Sequence, residues 1–319
     1  MSLLEVQNLT TYYTTQRGPV HAVENISFRL GEGKALGLAG ESGCGKTTAA
    51  LSLLKILPFN GEILRGKILF QGKDIVTLNE GELRDKIRWK GISLIFQGAM
   101  NAMNPVYRIE DQIVEAIKLH EPKISKKEAR KRVKQLFELV GLDPSRTRNY
   151  AHEFSGGMRQ RAMIAMALAC NPKILIADEP GTALDVIVQA QVLKLMSELR
   201  KKLNLAIIMI SHDLSIISET CDDLAIMYAG KIVELGDIYS MFKKPLHPYT
   251  QGLIEAFPNI KEKRRKMYSI AGYPPNLLKP PSGCRFHPRC KFAMDVCKKE
   301  EPPFHEVSKG HFVACHLYH

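Results

Sequence analysis

Apolar and polar positions alternate through residues 3–9 (LLEVQNL) and 20–30 (VHAVENISFRL). This two-residue period belongs to strands with one buried face and predicts an antiparallel sheet at the edge of the fold. The pattern then changes. KALGLAG is a short apolar strand that runs straight into glycines, and TTAALSLLKIL beyond it has the apolar spacing of a helix. From Asp111 to Leu142 the period is again helical, with Ile113, Ala116, Ile117, Val133, Leu136, Phe137 and Val140 on the apolar side; this predicts an inserted helical subdomain. KILIAD (173–178) and LAIIMIS (205–211) are unbroken apolar runs of strand length, separated by the helical VIVQAQVLKLMSELRKKL. Strands apolar at every position suit a parallel sheet covered by helices on both faces. After about Lys244 the sequence turns Pro-rich, Cys-rich and basic, which predicts a separate C-terminal region.

Composition narrows this picture. With 319 residues the chain exceeds one average domain, and its 45% hydrophobic content is ordinary for a folded soluble protein. The opening MSLLEVQNLTTYY lacks the basic start, apolar core and small-residue cleavage site of a signal peptide, which predicts a cytoplasmic protein. No apolar run approaches the ~20 residues that span a bilayer, so attachment to a membrane is expected only through partner proteins. A net charge of +12 is compatible with nucleic acid or an anionic lipid surface. The excess concentrates in the amphipathic stretch Lys123 to Lys134 and in the tail from Lys261, without the interleaved aromatics of a single-strand binder; no nucleic-acid partner is expected.

The chemistry starts at Gly40-Glu41-Ser42-Gly43-Cys44-Gly45-Lys46-Thr47, which fits G-x-x-x-x-G-K-[ST], a loop whose backbone N–H groups cradle phosphates at a helix N-terminus. Gly40, Ser42, Gly43, Cys44, Gly45 and Thr48 would surround a bound nucleotide. Lys46 would reach the β- and γ-phosphates, and Thr47 would offer its hydroxyl to Mg²⁺. The strand Ile174-Leu175-Ile176-Ala177 delivers Asp178 and Glu179 at its C-terminal end, where α/β sheets bind ligands. Asp178 would hold Mg²⁺ and Glu179 would polarise the attacking water. Two acids capping the next helix is the plainer alternative.

Phe154-Ser155-Gly156-Gly157-Met158-Arg159-Gln160-Arg161 resembles the signature motif of ABC ATPases. A serine ahead of two glycines and MIAMALA is equally a good helix start, with Ser155 as N-cap. The rest of the family pattern follows in order. Gln97 in LIFQGAMNAMNPV resembles the Q-loop, Ala183-Leu184-Asp185 the D-loop, His212 in MISHDLS the switch histidine, and Tyr13 the aromatic that stacks on adenine. Taken singly, Gln97 could be a loop amide, His212 a helix cap and Tyr13 a core ring. The chain departs from the pattern at Gly181, where Thr is usual, and at Gly98-Ala99, where an acidic residue and Pro are common.

The resemblance implies an α/β fold: a RecA-like P-loop ABC ATPase core over residues 1–244, with an antiparallel β edge subdomain and a helical subdomain near 98–160. It implies ATP and Mg²⁺ as cofactors, with Gln97 joining Thr47 and Asp178 at the metal, and two ATPase subunits facing head to tail. Ser155, Gly156, Gly157 and Asp185 of one subunit would then close on ATP held by the other. Glu179 would be the general base, His212 would contact the γ-phosphate, and Gln97 would pass motion to the membrane subunits.

Pro245-Leu246-His247-Pro248-Tyr249-Thr250-Gln251-Gly252-Leu253, continued by PPNLLKPPSGCRFHPRC, resembles the C-terminal region (245–319) of oligopeptide and dipeptide transporter ATPases. This implies an importer of peptides or related solutes, with sugar or nickel importers as alternatives and a soluble ABC ATPase acting on nucleic acid or ribosomes as the remote one. The implied partners are two integral membrane permease subunits, a second related ATPase and, indirectly, an extracellular solute-binding protein, at the inner face of the membrane. Cys284, Cys290, Cys297 and Cys315 cluster in this tail. They are expected to hold a metal, with a [4Fe–4S] cluster, as in some members of the resembling family, preferred over zinc because no short C-x₂₋₄-C knuckle is present, and over disulfides because a cytosolic chain is normally kept reduced; unligated thiols are the remaining alternative. The neighbouring Arg285, Arg289, Lys291 and Lys298 would offset an anionic cluster.

Overall fold

The computed structural model describes residues 2–98, 102–256 and 270–319; Ala99 and the start of the basic tail at Lys261 lie outside them. The chain divides into two compact units. One is built mainly from Lys73–Met209, and the other from Leu4–Arg29, Leu36–Gly72 and Ile210–His319.

In the second unit the alternating N-terminal pattern forms the strands Ser2–Thr15 and Gly18–Gly31, longer than the pattern alone predicts, and Gly61–Phe70 pairs antiparallel with the first of them. Register shifts between Gln7 and Thr11 break the strict alternation there, so the clean period ends before the strand does. Ala35–Ala39 is buried at every position and pairs parallel with Asp223–Tyr228, as an unbroken apolar run requires. Asp223–Tyr228 in turn pairs antiparallel with Lys231–Asp237, whose far side takes the C-terminal strand His311–Val313 and its partner His305–Ser308. The Cys-rich tail therefore continues a sheet that begins beside the glycine loop.

In the first unit Ile92–Ile95 and Ile174–Asp178 run parallel, and Ala206–Ile210 lies next in order. The helical pattern from Asp111 to Leu142 resolves into two helices, Ile109–His120 and Lys126–Leu139. Between them Pro122 and the capping box of Ser125 with Glu128 stop one helix and start the next. Two further helices, Gly156–Ala167 and Val186–Leu203, flank the strand Ile174–Asp178 in sequence. No helix among the described residues is long and apolar enough to cross a membrane.

Candidate functional site

The glycine loop joins the buried strand Ala35–Ala39 to the helix Lys46–Leu54. Gly40 and Gly45 have φ of 148° and 106°, in the region that favours glycine. Each also presses on backbone: a Cβ would stand 2.1 Å from the Met227 carbonyl oxygen at Gly40, and 2.1 Å from that of Ala22 at Gly45. The helix has no side-chain cap, which leaves its first N–H groups to an anion. Lys46 is buried, and its Nζ donates to the carbonyls of Gly40 at 2.8 Å and Glu41 at 3.0 Å and to Cys44 Sγ at 3.6 Å. The cation is thus folded into the loop it serves. Ser42, Gly43 and Thr47 are exposed, and Tyr13 Oη donates to Thr48 Oγ1 at 3.2 Å. A Cβ on Gly61 would meet the Tyr13 ring at 2.7 Å, so the half-exposed ring is braced beside the first turn of the helix.

Cys44 is buried, and loss of solvation pushes its thiol up despite the opposing charge of Lys46. A protonated, covered thiol is a poor nucleophile. Maleimide at neutral pH is therefore expected to leave Cys44 unlabelled in the folded chain, as read by peptide mass spectrometry. Prompt labelling would show that the loop opens readily.

In the same unit His212 is exposed just past the strand Ala206–Ile210. It does not cap the helix Leu214–Thr220; Asp213 does, accepting from Ser215 N at 2.9 Å. The capping role left open for His212 is thus filled by Asp213.

In the other unit, parallel pairing sets Ile95 opposite Ala177, and continuing that register brings Gln97 to Glu179. Gln97 Nε2 donates to Glu179 Oε2 at 2.9 Å, and Thr182 Oγ1 donates to the same oxygen at 3.0 Å. Glu179 has a φ of 48°, in the left-handed region, while Asp178 is only 3% exposed. Thr182 escaped the sequence reading; its signal was the departure one residue earlier. At Gly181 a Cβ would lie 2.5 Å from Gln189 Cγ, so Gln189 fills the space a side chain would need. Ser155 Oγ accepts from Met158 N at 3.4 Å and caps the signature helix, and Asp185 accepts from Val188 N at 2.9 Å and caps the next. Both capping side chains remain exposed.

Thr47, Gln97 and Asp178 are all oxygen donors, the hard ligands that Mg²⁺ selects. With its nitrogen given to Glu179, Gln97 has its carbonyl oxygen left for a cation. The residue types therefore fit a magnesium nucleotide.

The ABC transporter family profile matches residues 23–182, and that of the oligopeptide/dipeptide transporter C-terminal region matches 233–297. The oligopeptide transport ATP-binding protein OppD of Bacillus subtilis is 46% identical to this chain, over 99% of this chain and 89% of its own length. Its Escherichia coli counterpart is 46% identical over 98% of this chain and 93% of its own. The dipeptide transport ATP-binding protein DppD of Caldanaerobacter subterraneus is 41% identical over 99% and 97%. Among solved structures, cbiO1 of Clostridium perfringens, part of the ABC transporter complex cbiONQ, has a TM-score of 0.65 at 28% identity, covering 76% of this chain and 91% of its own. The dimeric bacterial ABC transporter cassette MJ0796 shares the fold, with a TM-score of 0.65 at 23% identity over 74% of this chain and 98% of its own.

One expectation is overturned. Among the described residues no group of three or more His, Cys, Asp or Glu side chains is arranged to hold a metal, so neither the iron–sulfur cluster nor zinc stands for Cys284, Cys290, Cys297 and Cys315. The relatives, too, are named for ATP binding and for oligopeptide or dipeptide transport. The physical reason lies in how the thiols are housed. Burial pushes Cys284 up to about 12 and Cys315 up to about 11, as for thiols housed away from solvent. Cys315 packs with Leu246 and Val313 as a small hydrophobe, and Cys297 Sγ accepts from Met294 N at 3.5 Å.

Proposed function

The chain belongs to the ATP-binding proteins of ABC transporters that carry the oligopeptide/dipeptide transporter C-terminal region, and from that premise we propose that it hydrolyses ATP to drive uptake of peptides. It is an ATPase with the RecA-like α/β fold of this family. The observation that carries the reading is the bond from Gln97 to Glu179, because it ties the loop that would sense the membrane subunits to the carboxylate that would activate water.

In this reading the loop amides from Gly40 to Gly45 and Thr48 hold the phosphates, with Lys46 on the β- and γ-groups and Tyr13 against adenine. Thr47, Asp178 and Gln97 hold Mg²⁺, which when bound screens the phosphate charge. Glu179 takes the proton of the attacking water, and Gln97 and Thr182 aim its carboxylate. His212 contacts the γ-phosphate. Ser155, Gly156, Gly157 and Asp185 act on ATP held by a related second ATPase. The ATPase region covers 1–244, including a helical subdomain near 98–160, and the transporter-type region covers 245–319. Two membrane permeases anchor the pair at the inner face of the cell membrane, and an extracellular binding protein delivers the solute.

Two measurements test this. Because half of each site comes from another subunit, ATP turnover per chain is expected to rise with chain concentration or on adding the partner ATPase; full activity in a demonstrated monomer would contradict the sandwich. Vesicles holding the assembled transporter and ATP should accumulate labelled oligopeptide. Uptake of nickel or sugar in its place would sink the peptide reading and leave the ATPase reading standing.

A further inference from the structure

We propose that the C-terminal region is a working part of the nucleotide site: Arg289 neutralises Glu41, the one acid of the phosphate loop, and Tyr249 anchors the backbone of that same residue. The inference rests on the reading of Gly40 to Thr47 as an ATP-binding loop.

The contact is built rather than incidental. Arg289 Nη1 donates to Glu41 Oε2 at 2.6 Å and Nη2 to Oε1 at 2.9 Å, the two parallel bonds of a guanidinium fork on a carboxylate. The fork is itself fixed. Arg289 Nε donates to the Ala271 carbonyl at 2.9 Å, Nη2 to that of Gly272 at 3.2 Å, and Nη1 to Tyr228 Oη at 3.3 Å, with the guanidinium 5.7 Å from the Tyr228 ring centre. Its side chain is 5% exposed and that of Glu41 26%, so the pair is largely out of solvent and weakly screened.

Tyr249 holds the other side of Glu41: its hydroxyl accepts from Glu41 N at 3.0 Å. The ring is fully buried, 4.6 Å from that of Tyr228 and 5.3 Å from that of Phe286. The sequence explains the placement, because Pro248 starts the helix Pro248–Glu255 and His247 caps it through Nδ1, accepting from Tyr249 N at 3.0 Å. The His-Pro-Tyr segment, read from sequence only as a family mark, is thus the peg on which the loop hangs. Glu41 meanwhile gives its carbonyl to Lys46 Nζ, so one residue joins the loop lysine to the C-terminal region.

The electrostatic consequence has a sign. A bare carboxylate in a loop that receives triphosphate repels it, and the guanidinium cancels that repulsion. With the guanidinium gone the acid opposes the nucleotide; with the acid gone the guanidinium attracts it.

The test is a titration of the full-length chain with a fluorescent ATP analogue and Mg²⁺, using wild type, Arg289→Gln, Glu41→Gln and the double variant. Arg289→Gln should weaken binding about tenfold, Glu41→Gln should tighten it, and the double variant should return to roughly the wild-type value. The loss in Arg289→Gln should shrink as salt rises. Equal losses in Arg289→Gln and the double variant would overturn the proposal and reduce Arg289 to a structural pin. Should Arg289→Gln fail to fold, Glu41→Gln decides alone: tighter binding supports the proposal, while weaker or unchanged binding overturns it. A wild-type chain that binds no nucleotide would remove the ATP reading and this inference together, a result distinct from the others.

Discussion

Replacing Glu179 by Gln is expected to leave Mg-ATP binding intact and to cut turnover by about 10²- to 10⁴-fold, the usual cost of losing a general base. The side chain keeps its volume, so the strand Ile174–Asp178 and the helix after it should not move. What changes is proton chemistry: an amide does not accept the proton of water. A second penalty comes from geometry, because Glu179 Oε2 accepts from both Gln97 and Thr182. An amide satisfies those two donors only through its oxygen, which fixes its nitrogen toward the water position. Binding titrations beside single-turnover hydrolysis separate the two effects. Hydrolysis near the wild-type rate would remove Glu179 from the role.

A loss of nucleotide affinity of about 10- to 150-fold is expected for Lys46→Ala, the range for one charged hydrogen bond made to a phosphate. The buried Nζ donates to Gly40 and Glu41 as well, so truncation also strands two loop carbonyls. Part of the loss is therefore loosening of the loop, visible as a lower melting temperature without nucleotide. The remainder is the direct phosphate contact, visible only in the titration. Affinity within roughly threefold of wild type would argue against Lys46 as a phosphate ligand, because a hydrogen bond to a charged group is typically worth about 1.5–3 kcal/mol.

Much of this was legible because it is local. The strands Ala35–Ala39, Ile174–Asp178 and Ala206–Ile210 are buried at every position, and that is what an unbroken apolar run reports. The phosphate loop was legible because few backbones need glycine where Gly40 and Gly45 stand. The illegible parts are non-local. Arg289 and Glu41 are 248 residues apart, and nothing near either one announces the other. Thr182 was hidden because a hydroxyl in a loop has no period. The cysteines misled for a related reason: spacing gives the order of thiols along the chain, while ligation depends on where they point and whether they ionise. Among the described residues no metal-holding group forms, and the thiols of Cys284 and Cys315 are covered ones, pushed up by loss of solvation.

The signature motif carries one more consequence. A Cβ at Gly157 would stand 2.5 Å from Val188 Cγ1, on the helix that follows Asp185. Any side chain there must displace Val188, at a cost of about 1–3 kcal/mol for overpacking. The glycine would therefore persist in a descendant of this chain that had lost hydrolysis altogether, so long as the descendant still folded. Ser155, whose hydroxyl is exposed and whose capping bond is a long 3.4 Å, has no such protection. Within this motif, decay of function would show first at the serine and last at the glycine, so an intact glycine pair beside an altered serine marks a chain kept for its shape.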